Sequence, residues 1–196
     1  MTEPSDDRVR LGPGAAGAAG AAGPTGAAAS ATSADTRAPV EASVRAAGGE
    51  DLEAILELGR TAVPATYQGI LEPELIELLM AKSWTKDAMI PSLRAGRTFV
   101  AHADGELVGL CSFGSYGKSL VVWKLYVAPG LQGRGVGGLL LRAVTERAAE
   151  LHVPVRVCYT EGNDSAAAFC RSYGLVEVGR EEQVGLPELV WMGVPA

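Results

Sequence analysis

The sequence predicts an α/β (α+β) fold, a mixed and mostly antiparallel sheet of about seven strands with helices on both faces. Three observations lead there. Two strand-like runs, Thr98 to Ala103 and Leu107 to Phe113, flank Asp104-Gly105, a strong hairpin signal. Two strand-to-strand crossovers follow, each with a helical stretch between its strands. The first opens with Gly133, Gly135, Gly137 and Gly138 packed around Arg134, between a strand and an amphipathic helix.

The elements read in order as follows. From Gly12 to Ala31, 16 of 20 positions are Ala or Gly, with too little apolar bulk to offset the entropy of ordering. Residues 1–39 are expected to be a disordered tail and residues 40–196 the folded domain. A signal peptide fits poorly, because Glu3, Asp6 and Asp7 stand where basic residues belong. Ser43 to Ala47 reads as a short strand ended by Gly48-Gly49. A helix follows, with Leu52, Ile55 and Leu56 on one face. Thr66-Tyr67-Gln68-Gly69 reads as loop. Pro73 opens a second helix with Leu75, Leu78 and Leu79 as its stripe, and Trp84 to Leu93 a partial helix broken by Pro91. After the hairpin come the strand Leu120 to Val127, the glycine loop and a helix to Leu151. Val153 to Thr160 is a strand, Ser165 to Tyr173 a helix, and Leu175 to Gly179 and Leu189 to Val194 the last strands.

The chain has 196 residues, 47% hydrophobic and 20% charged, enough for one domain with a sizeable core. No apolar run approaches the roughly 20 residues of a membrane span. A net charge of −6 without a basic cluster argues against nucleic acid or an anionic membrane as partner. Cys111, Cys158 and Cys170 are far apart, form no metal-binding pair and suit a reducing cytoplasm.

Backbone N–H groups at a glycine-rich helix start form an anion site, most often for phosphate. Gly133 to Gly138 literally satisfies the dinucleotide fingerprint G-x-G-x-x-G. That fingerprint belongs in the first strand–helix unit of a doubly wound sheet. Here three antiparallel-type strands precede it and only 58 residues remain after Gly138, so a dehydrogenase is disfavoured.

Read from Gln132, the same loop fits a second pattern. Gln132-Gly133-Arg134-Gly135-Val136-Gly137 matches Gln/Arg-x-x-Gly-x-Gly/Ala after a strand ending Leu125-Tyr126-Val127. This resembles the acetyl-CoA-binding motif of the GNAT superfamily, the GCN5-related N-acetyltransferases. The stretch from Glu161-Gly162-Asn163 through Phe169-Cys170 to Gly174-Leu175 is similar to the family's E-x-N-x-x-A-x-x-F-Y-x-x-x-G-F.

The resemblance implies that the strand ending at Val127 and the strand after it start parallel and splay apart around acetyl-CoA. Leu125 and Val127 would pair with the pantetheine arm, and a backbone N–H near Tyr126 would meet the oxyanion. Gln132, Gly133, Arg134, Gly135, Val136 and Gly137 would cradle the pyrophosphate. Asn163 would touch the pantetheine or merely cap a helix, and Phe169 would flank the cofactor or lie in the core. The reaction implied is direct acetyl transfer to a primary amine of a small molecule, amino acid or peptide. Where the family commonly has a Tyr acid this chain has Cys170, and Tyr173 and water are the alternatives. Where many relatives have a Glu base it has Val121, leaving Glu161, Glu72 or water. Tyr67, Glu72, Trp84 and Tyr116 fall where the family places its acceptor cleft, although Tyr67 and Trp84 read equally well as core aromatics. A non-catalytic acyl-CoA sensor is the competing reading, and exposed edge strands make a homodimer plausible.

Overall fold

Residues 38–195 are described here in a computed structural model; of the predicted tail, all but Ala38 and Pro39 lies outside the described residues. The chain runs β1 (Ser43–Ala46), a short 3-10 turn, α1 (Leu52–Tyr67), α2 (Pro73–Ser83), α3 (Lys86–Arg94), β2 (Thr98–Ala103) and β3 (Glu106–Tyr116). It continues through β4 (Ser119–Val127), α4 (Val136–Glu150), β5 (Val155–Thr160), α5 (Asp164–Ser172), β6 (Val176–Gln183) and β7 (Leu186–Gly193). One sheet of seven strands results, in the order β1-β2-β3-β4-β5-β7-β6. Only β4 and β5 are parallel; every other neighbouring pair is antiparallel.

Local chemistry explains the joints. Asp104 and Gly105 both take positive φ, 51° and 84°, as a two-residue turn matching the strand twist requires. Arg45 of β1 donates two hydrogen bonds of 2.7 Å to the Asp51 carboxylate, which also accepts the Gly48 N–H at 2.8 Å. That pairing fixes the start of α1 against the sheet edge.

Three sequence expectations need correction. Thr66 and Tyr67 are the last turn of α1, not loop, because Tyr67 is buried and anchors the helix end. Pro91 does not break α3: the ring costs one internal bond, at exposed Asp87, while Met89 and Leu93 hold the helix to the core. The final hairpin is longer than its apolar pattern, since β6 is almost wholly exposed and carries polar residues.

Helices cover both faces of the sheet. Leu125 and Val127 belong with Leu140, Val144 and Cys170 in the layer under α4 and α5. Tyr126 points the other way, into the layer with Ile55, Val63, Tyr67, Trp84 and Met89. The alternation is the two-residue period of a strand buried on both faces.

Candidate active site

The parallel contact between β4 and β5 is short, limited to Leu120–Val155, Val121–Arg156 and Val122–Val157. Beyond it β5 stays with β7 as far as Thr160. β4 instead skips register against β3: Phe113 faces Val122, Ser112 faces Lys124, and Trp123 is the extra residue. A residue inserted on one strand bends it. The two strands therefore part at Trp123, and a gap opens toward their C-terminal ends.

Which backbone groups line the gap follows from the β3 pairing. The Ala128 N–H donates to the Val108 carbonyl at 2.8 Å. Counting back by twos turns the main-chain groups of Tyr126 toward β3 and those of Leu125 and Val127 toward the gap. Near Tyr126, the N–H that faces the gap is thus that of Leu125. The Val127 carbonyl is already engaged by the Gln132 side chain at 3.2 Å.

At the wide end stands the start of α4. Gly135 is its N-cap with φ 93°, a conformation side chains rarely adopt, and no side chain caps the helix. The first α4 bond seen here runs from the Leu139 N–H to the Gly135 carbonyl, so the N–H groups of Val136, Gly137 and Gly138 lack helical partners. A Cβ on Gly137 would come 3.2 Å from the Phe169 ring, and one on Gly138 1.8 Å from the Tyr173 hydroxyl. Absent side chains let α5 close against this turn and leave an uncapped N–H cluster, which fits a pyrophosphate. Arg134 donates from Nε to the Ala38 carbonyl at 3.0 Å, so its guanidinium is shared with the segment preceding β1.

On the other face, hydroxyls bridge strands that the backbone leaves apart. Tyr67 Oη lies 3.4 Å from Tyr126 Oη on β4 and also bonds Thr160 on β5. Burial pushes both phenols above their usual range. At the narrow end Trp123, Tyr116 and Trp191 form an aromatic cluster: Tyr116 stacks on Trp191 at 5.5 Å, and Trp123 meets both rings edge-on. Trp191 lies opposite Cys158, the first β5 residue past the parallel pairing.

The other expected site residues take the following places in the fold. Cys170 is fully buried, and desolvation pushes its thiol up to about 12, so it holds its proton tightly and is a weak acid toward a thiolate. Tyr173 has its ring against Phe169 and its hydroxyl near Gly138, at the phosphate end. Glu161 pairs with Arg180 at 2.6 Å, and Arg180 also binds Glu177 and Glu188. Glu72 is the exposed residue before α2. Asn163 caps α5, accepting from the Ala166 N–H at 3.0 Å. Trp84 is a core residue, laid over Gly59 and edge-on to Tyr126 at 5.2 Å, not an open cleft wall. Tyr116, by contrast, is 52% exposed.

Residues 62–175, more than half of the chain, match the model of the acetyltransferase (GNAT) family. The chain belongs to the GNAT family. It is 31% identical over 154 residues to an L-methionine sulfoximine/L-methionine sulfone acetyltransferase of Pseudomonas paraeruginosa, an alignment covering 74% of this chain and 87% of the relative. The corresponding Pseudomonas aeruginosa protein is 30% identical over the same shares. Among solved structures, PaiA N-acetyltransferase from Thermoplasma acidophilum, determined with coenzyme A, superposes with a TM-score of 0.69 at 20% identity, covering 79% of this chain and 99% of that one. A ribosomal-protein-alanine N-acetyltransferase from Brucella melitensis gives 0.61 at 28% identity, covering 76% and 97%.

As a GNAT member the protein is an acyl-CoA-dependent N-acetyltransferase with acetyl-CoA as co-substrate, whose thioester supplies the acetyl group. Sequence reasoning missed Trp123, Lys124 and Trp191, which flank the point where the strands part. Trp123 and Lys124 read as ordinary strand residues, and only the register skip sets them apart.

Proposed function

We propose that this GNAT enzyme acetylates the primary amine of a free, amino-acid-like small molecule, by direct attack on acetyl-CoA in a ternary complex. The carrying observation is that the β4–β5 gap has two unlike ends. Uncapped N–H groups of Val136, Gly137 and Gly138 at the wide end suit the pyrophosphate, with Gln132 to Gly135 shaping the loop and Phe169 closing over Gly137. Half-exposed Tyr116, with Trp123 and Trp191, suits an acceptor at the narrow end. The activity of the Pseudomonas relatives, on methionine sulfoximine and methionine sulfone, supports an acceptor of that size and class.

In this reading Leu125 and Val127 pair with the pantetheine arm, and the Leu125 N–H stabilises the oxyanion of the tetrahedral intermediate. Positioning supplies most of the rate. Water takes the proton of the acceptor ammonium, and water returns one to the CoA thiolate. Three buried thiols without a disulfide support a cytoplasmic setting, and the exposed β6 edge supports a homodimer. The test is an amine panel incubated with acetyl-CoA, read by free-thiol release and product mass. Transfer to free amino acids or their analogues is expected. Acetylation of peptide or protein amines alone would replace the small-molecule acceptor, and no transfer to any amine would remove the proposal.

A further inference from the structure

Lys124 is the one residue at the start of the gap whose chemistry the account above leaves unused. The register skip at Trp123 places it where β4 leaves β5, one residue before Leu125. Its side chain lies on the α1–α3 face, with Nζ 5.8 Å from the centroid of the Trp84 ring. The residue is only 7% exposed. Among the described residues no carboxylate pairs with its amine and no acceptor bonds it, yet Nζ is not sealed from solvent. Its surroundings are rings and small hydroxyls: Trp84 and Tyr126 beside it, Ser112 across the strand.

Buried lysines are ordinarily paired, since an uncompensated charge in such a place is costly. Burial alone pushes this amine down to about 8, and no neighbouring charge contributes. An aromatic face offers a cation partial compensation. The larger part is left for something that enters from the cleft.

We infer that Lys124 is the acceptor-binding cation, holding the carboxylate of an amino-acid acceptor so that its α-amine faces the thioester. The inference rests on the small-molecule acceptor proposed above and narrows it to amines bearing a nearby carboxylate. In an α-amino acid the carboxylate is attached to the carbon that carries the amine. An anchor one residue from Leu125 therefore suits such a molecule. A peptide N-terminus, whose carbonyl is an amide, offers Lys124 no charge. Trp84, although closed to the cleft, then has a role through Lys124: its ring positions the ammonium.

The experiment compares L-amino acids, L-methionine sulfone among them, with their carboxamides as acceptors for the wild-type chain and for Lys124→Met. Methionine keeps the unbranched volume and removes the charge. Retained stabilisation by acetyl-CoA in thermal unfolding establishes that the variant is folded and binds its co-substrate. A charge-assisted contact predicts that wild type favours the carboxylate by about 10- to 100-fold in kcat/KM. Lys124→Met should lose that preference, the KM for the acid rising far more than that for the carboxamide. Lys124→Arg, if folded by the same criterion, should recover part of the preference. Equal loss of kcat on acids and carboxamides would overturn the inference in favour of a proton-transfer role. An unchanged preference in Lys124→Met would also overturn it, as would failure of every carboxylate-bearing amine. Transfer to carboxamides or peptides in that last case would leave the acetyltransferase itself intact.

Discussion

Gly59→Ala tests why Trp84 belongs to the core. A Cβ on Gly59, in the middle of α1, would lie 2.1, 2.5 and 2.8 Å from three carbons of the indole. Carbon atoms in contact prefer about 3.5–4.0 Å, so the ring would have to retreat by more than about 1 Å. It has little room, being buried and set edge-on to Tyr126 at 5.2 Å. Two effects oppose each other. Alanine exceeds glycine in helix propensity by about 1 kcal/mol. Overpacking costs about 1–3 kcal/mol or more, and a displaced indole also gives up an aromatic contact of about 0.5–1.5 kcal/mol. The clash wins, for a net loss of about 1–3 kcal/mol. In a domain of this size each kcal/mol lowers Tm by about 2–4 °C, measurable by calorimetry or circular dichroism. Adding Trp84→Leu should reverse the sign of the Gly59→Ala effect, because the smaller side chain leaves room for the methyl. A single variant with unchanged or raised Tm would refute the packing argument.

Three further outcomes are expected. Gly135→Ala strains a residue at φ 93°, so either stability falls by about 1–2 kcal/mol or the loop shifts and the acetyl-CoA Kd rises by up to about tenfold; calorimetric titration beside thermal unfolding would expose a variant unchanged in both. Asp51 is held below the usual carboxylate range, chiefly by its hydrogen bonds from Arg45. The unfolded chain therefore takes up the proton first on acidification: the Asp51 contribution is complete above about pH 4 and is lost as pH falls through the folded value. Asp51→Asn should be less stable at neutral pH, with a shallower loss of stability below about pH 4; identical pH–stability curves would contradict this. Cys170→Ala should leave kcat unchanged while costing about 1–2 kcal/mol of stability, and a folded variant with kcat abolished would return Cys170 to the chemistry.

What the sequence makes legible is local. Asp104-Gly105 encodes its own turn, and glycines at 133 and 135 supply the positive φ that the loop uses, so the hairpin and the glycine-rich turn before α4 read correctly from neighbours in the chain. Seven strands and their crossovers follow from apolar periodicity. The fate of Trp84 does not, because it depends on a missing Cβ on Gly59, 25 residues earlier and in another helix. Cys170 matches a motif position that commonly carries a polar tyrosine, yet buries itself because a small thiol fits the core under α5. The main-chain groups that face the gap belong to Leu125 rather than Tyr126, because backbone direction follows from pairing with β3, not from residue type. Lys124 escaped notice for a similar reason: a lysine in a strand ordinarily faces water, and only the extra residue at Trp123 turns this one toward Trp84.

Initial rates of thiol release, with acetyl-CoA and an accepted amine both varied, test most directly the claim that the β4–β5 gap joins the two substrates for direct transfer. The account predicts release that depends on the amine and double-reciprocal lines that intersect, as a ternary complex requires. Parallel lines would contradict it, because they report an acetylated enzyme formed before the amine binds. Release independent of the amine would contradict it as well.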